Sequence, residues 1–240
     1  VSARHRAAVR WRTALNTRRP MTKTGDAAKP PMDLELQAES LLDSVRARSR
    51  ELSIAAVAVA LAAGGIYLWQ QQKHANENKA ELALANPASA FFQGNTALAK
   101  GDLQKLVERY PDTPAGVQGF MMLAQVQFQD GKYDEGVRTL QKAQGSAAAG
   151  PFAASLQALI GEGLLDGKKY VEAAKAFQDA AGKTTFAADK DVYAADAARA
   201  LTLAGKVEEA KKLWSELASR RESPVVAEAR VRLGELEGKK

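Results

Sequence analysis

Two residue types that build catalytic and metal sites are nearly missing from this chain of 240 residues. It has no cysteine, which excludes disulfide bonds, thiolate metal sites, a cysteine nucleophile and a lipid-modified N-terminal cysteine. It has two histidines, His5 and His74, which leave little material for histidine-based catalysis or metal binding. This scarcity alone does not exclude an enzyme, but the sequence also shows no phosphate loop, calcium loop or paired carboxylates for hydrolysis, so we expect a protein that is not an enzyme and has no cofactor or metal.

The positive charge is concentrated in one short segment. The chain has a net charge of +6, but residues 1–20 hold six arginines and no acidic residue, and the other 220 residues hold 28 basic and 28 acidic residues. The arginine-rich segment is either a basic arm for nucleic acid or anionic lipid, or a disordered or misannotated extension. Because the rest is neutral, the charge is no argument for nucleic-acid binding, and we expect no nucleic-acid partner.

One long segment carries no charge, from Leu52 to Gln72. Its core, Leu52 to Trp69, has 18 residues, which as a helix would span about 27 Å, enough for a thin hydrocarbon layer. Tyr67 and Trp69 lie at its end, where aromatic residues anchor a helix at a membrane interface. We predict a transmembrane helix over residues 52–72; the alternatives are a buried helix of a soluble core and a cleaved signal peptide.

The flanks of this segment predict its orientation. Arg46, Arg48 and Arg50 precede it, and Lys73 and Lys79 follow it. Basic residues favour the cytoplasmic side, so we expect a cytoplasmic N-terminus and a periplasmic C-terminal region.

Small residues recur at every fourth position within the predicted span. Ala56, Ala60 and Gly64 would share one helix face, a spacing that lets two membrane helices approach closely. We predict a transmembrane contact face here, with chance in an alanine-rich helix as the alternative. Homo-oligomerisation stays open.

The residues before the span divide into two parts. Residues 1–33 read as a disordered basic and polar tail. In residues 34–51, Leu34, Ala38, Leu41 and Val45 fall on one helical face, which predicts a short cytoplasmic amphipathic helix. After the span, we predict a linker over residues 73–87.

The C-terminal part repeats itself every 37 residues, as Tyr133, Tyr170 and Val207 show. Around each of them, the same residue classes stand at fixed offsets, which predicts units of two helices joined by a glycine-containing turn. Small residues stand at +3 (Gly136, Ala173, Ala210) and −9 (Ala124, Gly161, Ala198), and large apolar residues at +7 (Leu140, Phe177, Trp214).

This pattern resembles the tetratricopeptide repeat. Three units match, with first positions at Val117, Ala154 and Asp191, and residues 88–110 read as a degenerate first unit. Because the period is 37 and not the family's usual 34, we expect longer turns at residues 145–151 and 182–189. A final helix over residues 225–237 would cap the array. The resemblance implies an all-α fold, a tetratricopeptide-like α-solenoid over residues 88–240 behind one transmembrane helix.

The wider layout resembles the YfgM type of bacterial inner-membrane protein. The resemblance rests on the cytoplasmic segment, the single span ending in tryptophan, the repeat domain, and the sequence LQKLVERYPDTPAG at residues 103–116. It implies an ancillary role at the Sec translocon and contact with periplasmic chaperones.

The resemblance to the tetratricopeptide repeat also implies which side chains face a partner. In that family they stand at fixed positions of the first helix in each unit. These predict a peptide or partner groove, although large apolar members such as Phe128 can equally be inter-repeat core. The predicted groove residues are Gln118, Met121, Gln125, Phe128, Glu162, Leu165, Asp166 and Arg199.

Two hypotheses of different classes follow. In the first, a single-pass inner-membrane protein uses its periplasmic repeat domain to scaffold protein partners, in a translocon- or chaperone-associated role. In the second, it is a structural subunit of a membrane complex, held mainly through its transmembrane helix.

Overall fold

The computed structural model describes residues 49–238. The predicted basic tail and most of the predicted amphipathic helix therefore lie outside the described residues. The chain divides into two units, Val1–Ala62 and Ala63–Lys240, and the described part of the first is helical throughout.

The described residues are all-helical, which confirms the predicted fold class. Residues 49–238 contain nine successive α-helices and one 3₁₀ turn, Gly150–Phe152, between the fourth and fifth helices. They are α1 (Ser49–Phe92), α2 (Thr96–Arg109), α3 (Pro114–Gln129), α4 (Tyr133–Gln144), α5 (Ala153–Asp166), α6 (Tyr170–Lys183), α7 (Ala187–Leu203), α8 (Val207–Ser219) and α9 (Val226–Glu237).

The helices begin where the 37-residue period predicts. Helices α4, α6 and α8 start at Tyr133, Tyr170 and Val207, and α2 starts at Thr96, one further period back. The four turns before them share one geometry, since a residue with positive φ stands two positions before the first residue of each of these helices. Those residues are Gly94 (φ 78°), Gly131 (73°), Lys168 (61°) and Gly205 (74°).

The same hydrogen bonds close each of these turns. Asn95, Lys132, Lys169 and Lys206 donate their backbone N–H groups to carbonyls five residues upstream, as in a Schellman motif. The motif satisfies the last carbonyls of one helix and reverses the chain into the next. The recurrence at Gly94 identifies the end of α1 and α2 as the degenerate first unit.

Small and large residues interlock where the helices cross. The large residues at the +7 positions, Leu140, Phe177 and Trp214, are buried, and so are the small ones at +3 and −9. A Cβ atom added at Gly161 would lie 2.8 Å from the Phe177 ring. Because that separation is below van der Waals contact, glycine is required for the two helices to approach this closely.

Three boundaries differ from the sequence prediction. The residues predicted as a linker, 73–87, are helical and part of α1. Burial in the repeat unit begins at Ala80, earlier than residue 88, and includes Pro87 inside α1. The turn expected over residues 182–189 is only three residues long, because α6 and α7 extend into it as helix.

We predict that Gly163→Ala destabilises the repeat unit by about 1–3 kcal/mol, because overpacking a close-packed interior has that cost. A Cβ atom at Gly163 would lie 2.3 Å from Cζ of Phe128, which must then move. Denaturant unfolding followed by circular dichroism measures the effect.

Gly234→Ala is the matched control, since a Cβ atom at Gly234 in α9 meets nothing within 4 Å. Here the replacement of a helical glycine should be neutral or stabilise by about 0.5–1 kcal/mol. Equal stability of the two variants would show that Phe128 does not constrain Gly163.

Candidate functional site

The predicted groove residues lie on the first helices of the helix pairs, α3, α5 and α7. Gln118, Glu162 and Asp166 are exposed. The other five are half-buried: Met121, Gln125, Phe128, Leu165 and Arg199. The exposed members are polar and the large apolar members are packed, so a partner reaches mainly polar groups here.

Phe128 is a packing residue between units. Its ring fills the space left by two glycines, Gly136 of α4 and Gly163 of α5, and its centroid lies 6.4 Å from that of Tyr133. Met121 packs on the same apolar cluster. These contacts favour the alternative noted for Phe128, that it is inter-repeat core, and its place in a partner groove stays a prediction.

Arg199 is engaged within the chain. Its Nε donates to Oε1 of Glu228 at 2.8 Å, its Nη2 donates to Oε2 of the same carboxylate, and its Nη1 donates to Asp196. The bidentate pair joins α7 to α9 across 29 residues of sequence. Arg199 therefore stabilises the final helix, and its charge is already neutralised before any partner arrives.

The exposed polar residues of α5 and α7 make an acidic surface. Although Glu162 is exposed, neighbouring atoms remove part of the water around its carboxylate, and this desolvation, with Asp196 and Asp166 nearby, raises its pKa. Burial also raises the pKa of Asp196, in spite of the neighbouring Arg199. The pKa of Tyr193, on the same helix α7, is raised by burial and by Asp189. We call Glu162, Asp166 and Asp196 the acidic surface.

The first helices of the three pairs differ in charge from the second helices. Helices α3, α5 and α7 together carry five acidic and two basic residues. Arg199 is paired with Asp196 and Glu228, and Asp191 with Arg220, which leaves Glu162, Asp166 and Asp189 against Lys190. Apart from Lys190, the lysines of the described repeat region lie on the other helices and in the turns. The surface formed by the first helices therefore favours a basic partner segment.

A cavity of about 280 Å³ lies between α7, α8 and α9. It was not predicted, because the sequence pattern placed Trp214 only in the core. Its walls combine apolar groups with two guanidinium groups and one carboxylate. It is lined by Arg199, Thr202, Leu203, Trp214, Arg232, Glu235 and Leu236.

The uncharged segment of α1 is exposed on all sides. Among the described residues, this is the one helix long and apolar enough to cross a membrane by length and composition. Ile54 is 63% exposed and Trp69 66%, so the segment is not the core of the described fold. Ala56, Ala60 and Gly64 are exposed as well, and nothing lies within 4 Å of a Cβ atom added at Gly64.

The tetratricopeptide-repeat family model matches residues 88–151 and 121–189. The match and the stacked helix pairs together show a tetratricopeptide-like solenoid. The third pair, α7 and α8, continues the repeat with the same turn geometry. No curated protein matches the chain.

Solved structures share the tetratricopeptide fold. One holds the nearly identical TPR-like repeats assigned to a kinesin light chain of Podosopora anserina, with 17% identity over 68% of this chain and 87% of that one, and a TM-score of 0.55. Another is PilF of Pseudomonas aeruginosa, with 21% identity over 68% of this chain and 71% of that one, and a TM-score of 0.54. At these identities the similarity shows the fold alone.

We predict that Arg199→Glu detaches α9 and destabilises the repeat domain by about 1–3 kcal/mol, between the values for exposed and buried ion pairs. The substitution would place three carboxylates together. Arg230→Glu, an exposed charge reversal on α9, is the control and should unfold like the parent chain. The measurement is the thermal unfolding of the two variants. If Arg199→Glu and Arg230→Glu have the same melting temperature, the ion pair between Arg199 and Glu228 does not contribute to stability.

The ion pair between Arg199 and Glu228 makes the stability of the repeat domain depend on pH. The hydrogen bond from Arg199 lowers the pKa of Glu228, so its stabilisation is present above the ordinary carboxyl pKa and is lost as the pH falls through the lowered value. The stability difference between the parent chain and Glu228→Gln should therefore shrink on acidification. A difference that grows in acid would contradict the assignment.

Proposed function

We propose that this chain is a single-pass bacterial inner-membrane protein whose periplasmic tetratricopeptide domain scaffolds protein–protein interactions. The main observation that supports this proposal is the combination of tetratricopeptide repeats with an uncharged helical segment whose described side chains are all exposed. Eighteen or more consecutive apolar residues exposed to water are unfavourable, and a lipid environment removes that cost. The excess of arginine before the segment supports the orientation with the C-terminal domain outside the cytoplasm.

The resemblance to the YfgM type gives the proposal its finer form. In that form the domain works beside the Sec translocon or with periplasmic chaperones. Tetratricopeptide arrays present stacked helices to extended or helical segments of other proteins. The acidic surface on α5 and α7 supports a partner segment that carries basic residues.

A second candidate is an accessory subunit held mainly through its transmembrane helix. The exposed small residues Ala56, Ala60 and Gly64 support it, because small side chains let two membrane helices pack closely. The repeat domain would then cover the complex on one side of the membrane.

The membrane location has a direct test. We predict that the protein stays in the membrane fraction after alkaline carbonate washing, because an 18-residue apolar span is not released by high pH. Added protease should digest the repeat domain only after the outer membrane is opened. Release by carbonate would contradict the span, and digestion from the cytoplasmic side alone would reverse the orientation.

The two candidates differ in which part of the chain retains partners. We predict that Glu162→Lys, on the acidic surface, reduces partner cross-linking in intact membranes by at least several-fold, measured by quantitative mass spectrometry. Reversing this charge removes the repulsion from Asp196 and Asp166, so it should not harm folding. Glu172→Lys, an exposed charge reversal on α6, is the matched control.

Replacement of residues 52–72 by an unrelated apolar span completes the comparison. If the repeat domain is the scaffold, partners stay with the chimera and are lost from Glu162→Lys. If partners leave the chimera and stay with Glu162→Lys, the accessory-subunit candidate is correct.

A further inference from the structure

The first helices of the repeat units begin at the edge of the array from which α1 enters. Successive units of a helical solenoid stack side by side, so their first helices run in the same direction. The end of α1 is the first helix of the first unit, because Ala90 packs in one apolar cluster with residues of α2 and α3, and Gly94 forms the turn that follows. Residues 63–92 belong to the same compact part of the chain as the array, Ala63–Lys240. The starts of α3, α5 and α7 therefore lie on the side of the array that the predicted transmembrane segment adjoins.

Among these first helices, α7 extends furthest toward that side. It begins at Ala187, four residues before its first repeat position, Asp191, whereas α3 begins three residues and α5 one residue before theirs. Three periods of 37 residues place Phe186, which precedes α7, in register with Ala75 of α1. Ala75 follows Trp69 by six residues, or about 9 Å along the helix axis. The start of α7 therefore lies close, along the helix axes, to the expected membrane interface at Trp69.

Phe186 places an aromatic ring with a fixed backbone at this edge. The residue is 70% exposed. Its backbone N–H donates to Oγ1 of Thr184 at 3.2 Å, and its carbonyl accepts from the backbone N–H of Lys190 at 3.0 Å. The equivalent positions of the two preceding units hold Ala149 and Asp112, so the repeat pattern does not require an aromatic residue here. Aromatic rings are enriched at membrane interfaces, where their apolar surface leaves the water.

The turn between α8 and α9 lies beside the start of α7. Nη1 of Arg220 donates to Oδ1 of the buried Asp191, and this ion pair joins the two segments. An open recess of about 670 Å³ between them is lined by Ala187 and Ala188 of α7 and by residues 220–224. The two segments therefore form one surface. We call residues 183–191 and 220–224 the α7 edge.

The charges of the α7 edge are compatible with lipid headgroups. Lys183, Lys190 and Arg221 are exposed and form no ion pair within residues 49–238. The exposed carboxylates of the same edge are Asp189 and Glu222, which leaves an excess of one positive charge. Long basic side chains reach lipid phosphates while their stems cover apolar surface. Because the excess is small, the aromatic ring is the main source of affinity for a bilayer.

We propose that the α7 edge docks on the membrane surface, with the Phe186 ring inserted among the lipid headgroups and the basic side chains beside lipid phosphates. The inference rests on the proposed membrane span. It adds a second contact between the chain and the bilayer, and two contacts hold the array in one orientation to the membrane.

The test uses spin labels on the full chain in nanodiscs of phosphatidylcholine, with and without phosphatidylglycerol. Because the sequence has no cysteine, each introduced cysteine is a unique attachment site. Ala187→Cys reports on the α7 edge, and Lys206→Cys reports on the opposite edge, just after α7; both positions are exposed. Ile66→Cys reports on the predicted span. Power saturation with oxygen and with a water-soluble nickel chelate measures the depth of each label in the bilayer.

We expect the label at Ala187 to be several-fold less accessible to the nickel chelate than the label at Lys206, in both lipid mixtures. Adding Phe186→Ser should make the label at Ala187 as accessible as the label at Lys206, without affecting folding, because the replaced ring is exposed. Phe92→Ser is the matched control and should change nothing at Ala187, since Phe92 is 77% exposed and ends α1 at the opposite edge.

Three results would overturn the proposal: equal nickel accessibility of the labels at Ala187 and Lys206, no effect of Phe186→Ser on the label at Ala187, or protection of that label only when phosphatidylglycerol is present. The last result would show electrostatic adsorption without insertion of the ring.

The label at Ile66 separates this outcome from that of the proposed function. If it lies in the bilayer interior while the label at Ala187 stays in water, the span stands and the docking is wrong. If the label at Ile66 is itself in water, the proposed membrane function is wrong and the docking fails with it.

Discussion

Each helix pair of the array can bury its apolar face only against the next pair, so the whole domain depends on how closely the helices approach at their crossings. That approach is set by small residues opposite large ones. Gly161 admits Phe177, and Gly136 with Gly163 admits Phe128. The stability of such an array is largely a sum of the interfaces between neighbouring units. A substitution that fills one of these gaps therefore lowers the stability of the whole array.

The turns impose the second constraint, because they fix where each helix ends and the next begins, and so which helix faces meet. A left-handed residue at the same place in each turn ends one helix and starts the next, and three of the four residues are glycines. Lys168 adopts the same conformation with a side chain, at a conformational cost that glycine avoids. Lys168 stands 37 residues from both Gly131 and Gly205, so the register of the repeat places the left-handed conformation on Lys168 and not on the neighbouring Gly167.

The C-terminal end of the array is packed differently from its interior. Inside the array, most large apolar residues of the first helices contact neighbouring units, with Leu203 of α7 as an exposed exception, and the rest of their surface is mainly polar and acidic. At the C-terminal end, α9 has no following helix in the described residues, and the ion pairs of Arg199 hold it in place. The cavity under α9 is a consequence of ending the array with a helix that does not fill the space below it.

The sequence by itself determined the register of this protein: the 37-residue period predicted the first residues of α4, α6 and α8 and the small and large residues at their crossings. The repeat has this effect because residues at equivalent positions of successive units lie on the same helix face, so they are buried in the same way. It could not determine which neighbour a side chain at the edge of that face meets. Phe128 reaches Gly163 and Arg199 reaches Glu228 across 35 and 29 residues of chain, and the indole N–H of Trp214 is left without a partner by the packing of three helices. Only the tertiary structure decided these contacts, because they depend on the distances between helices that the local pattern does not encode.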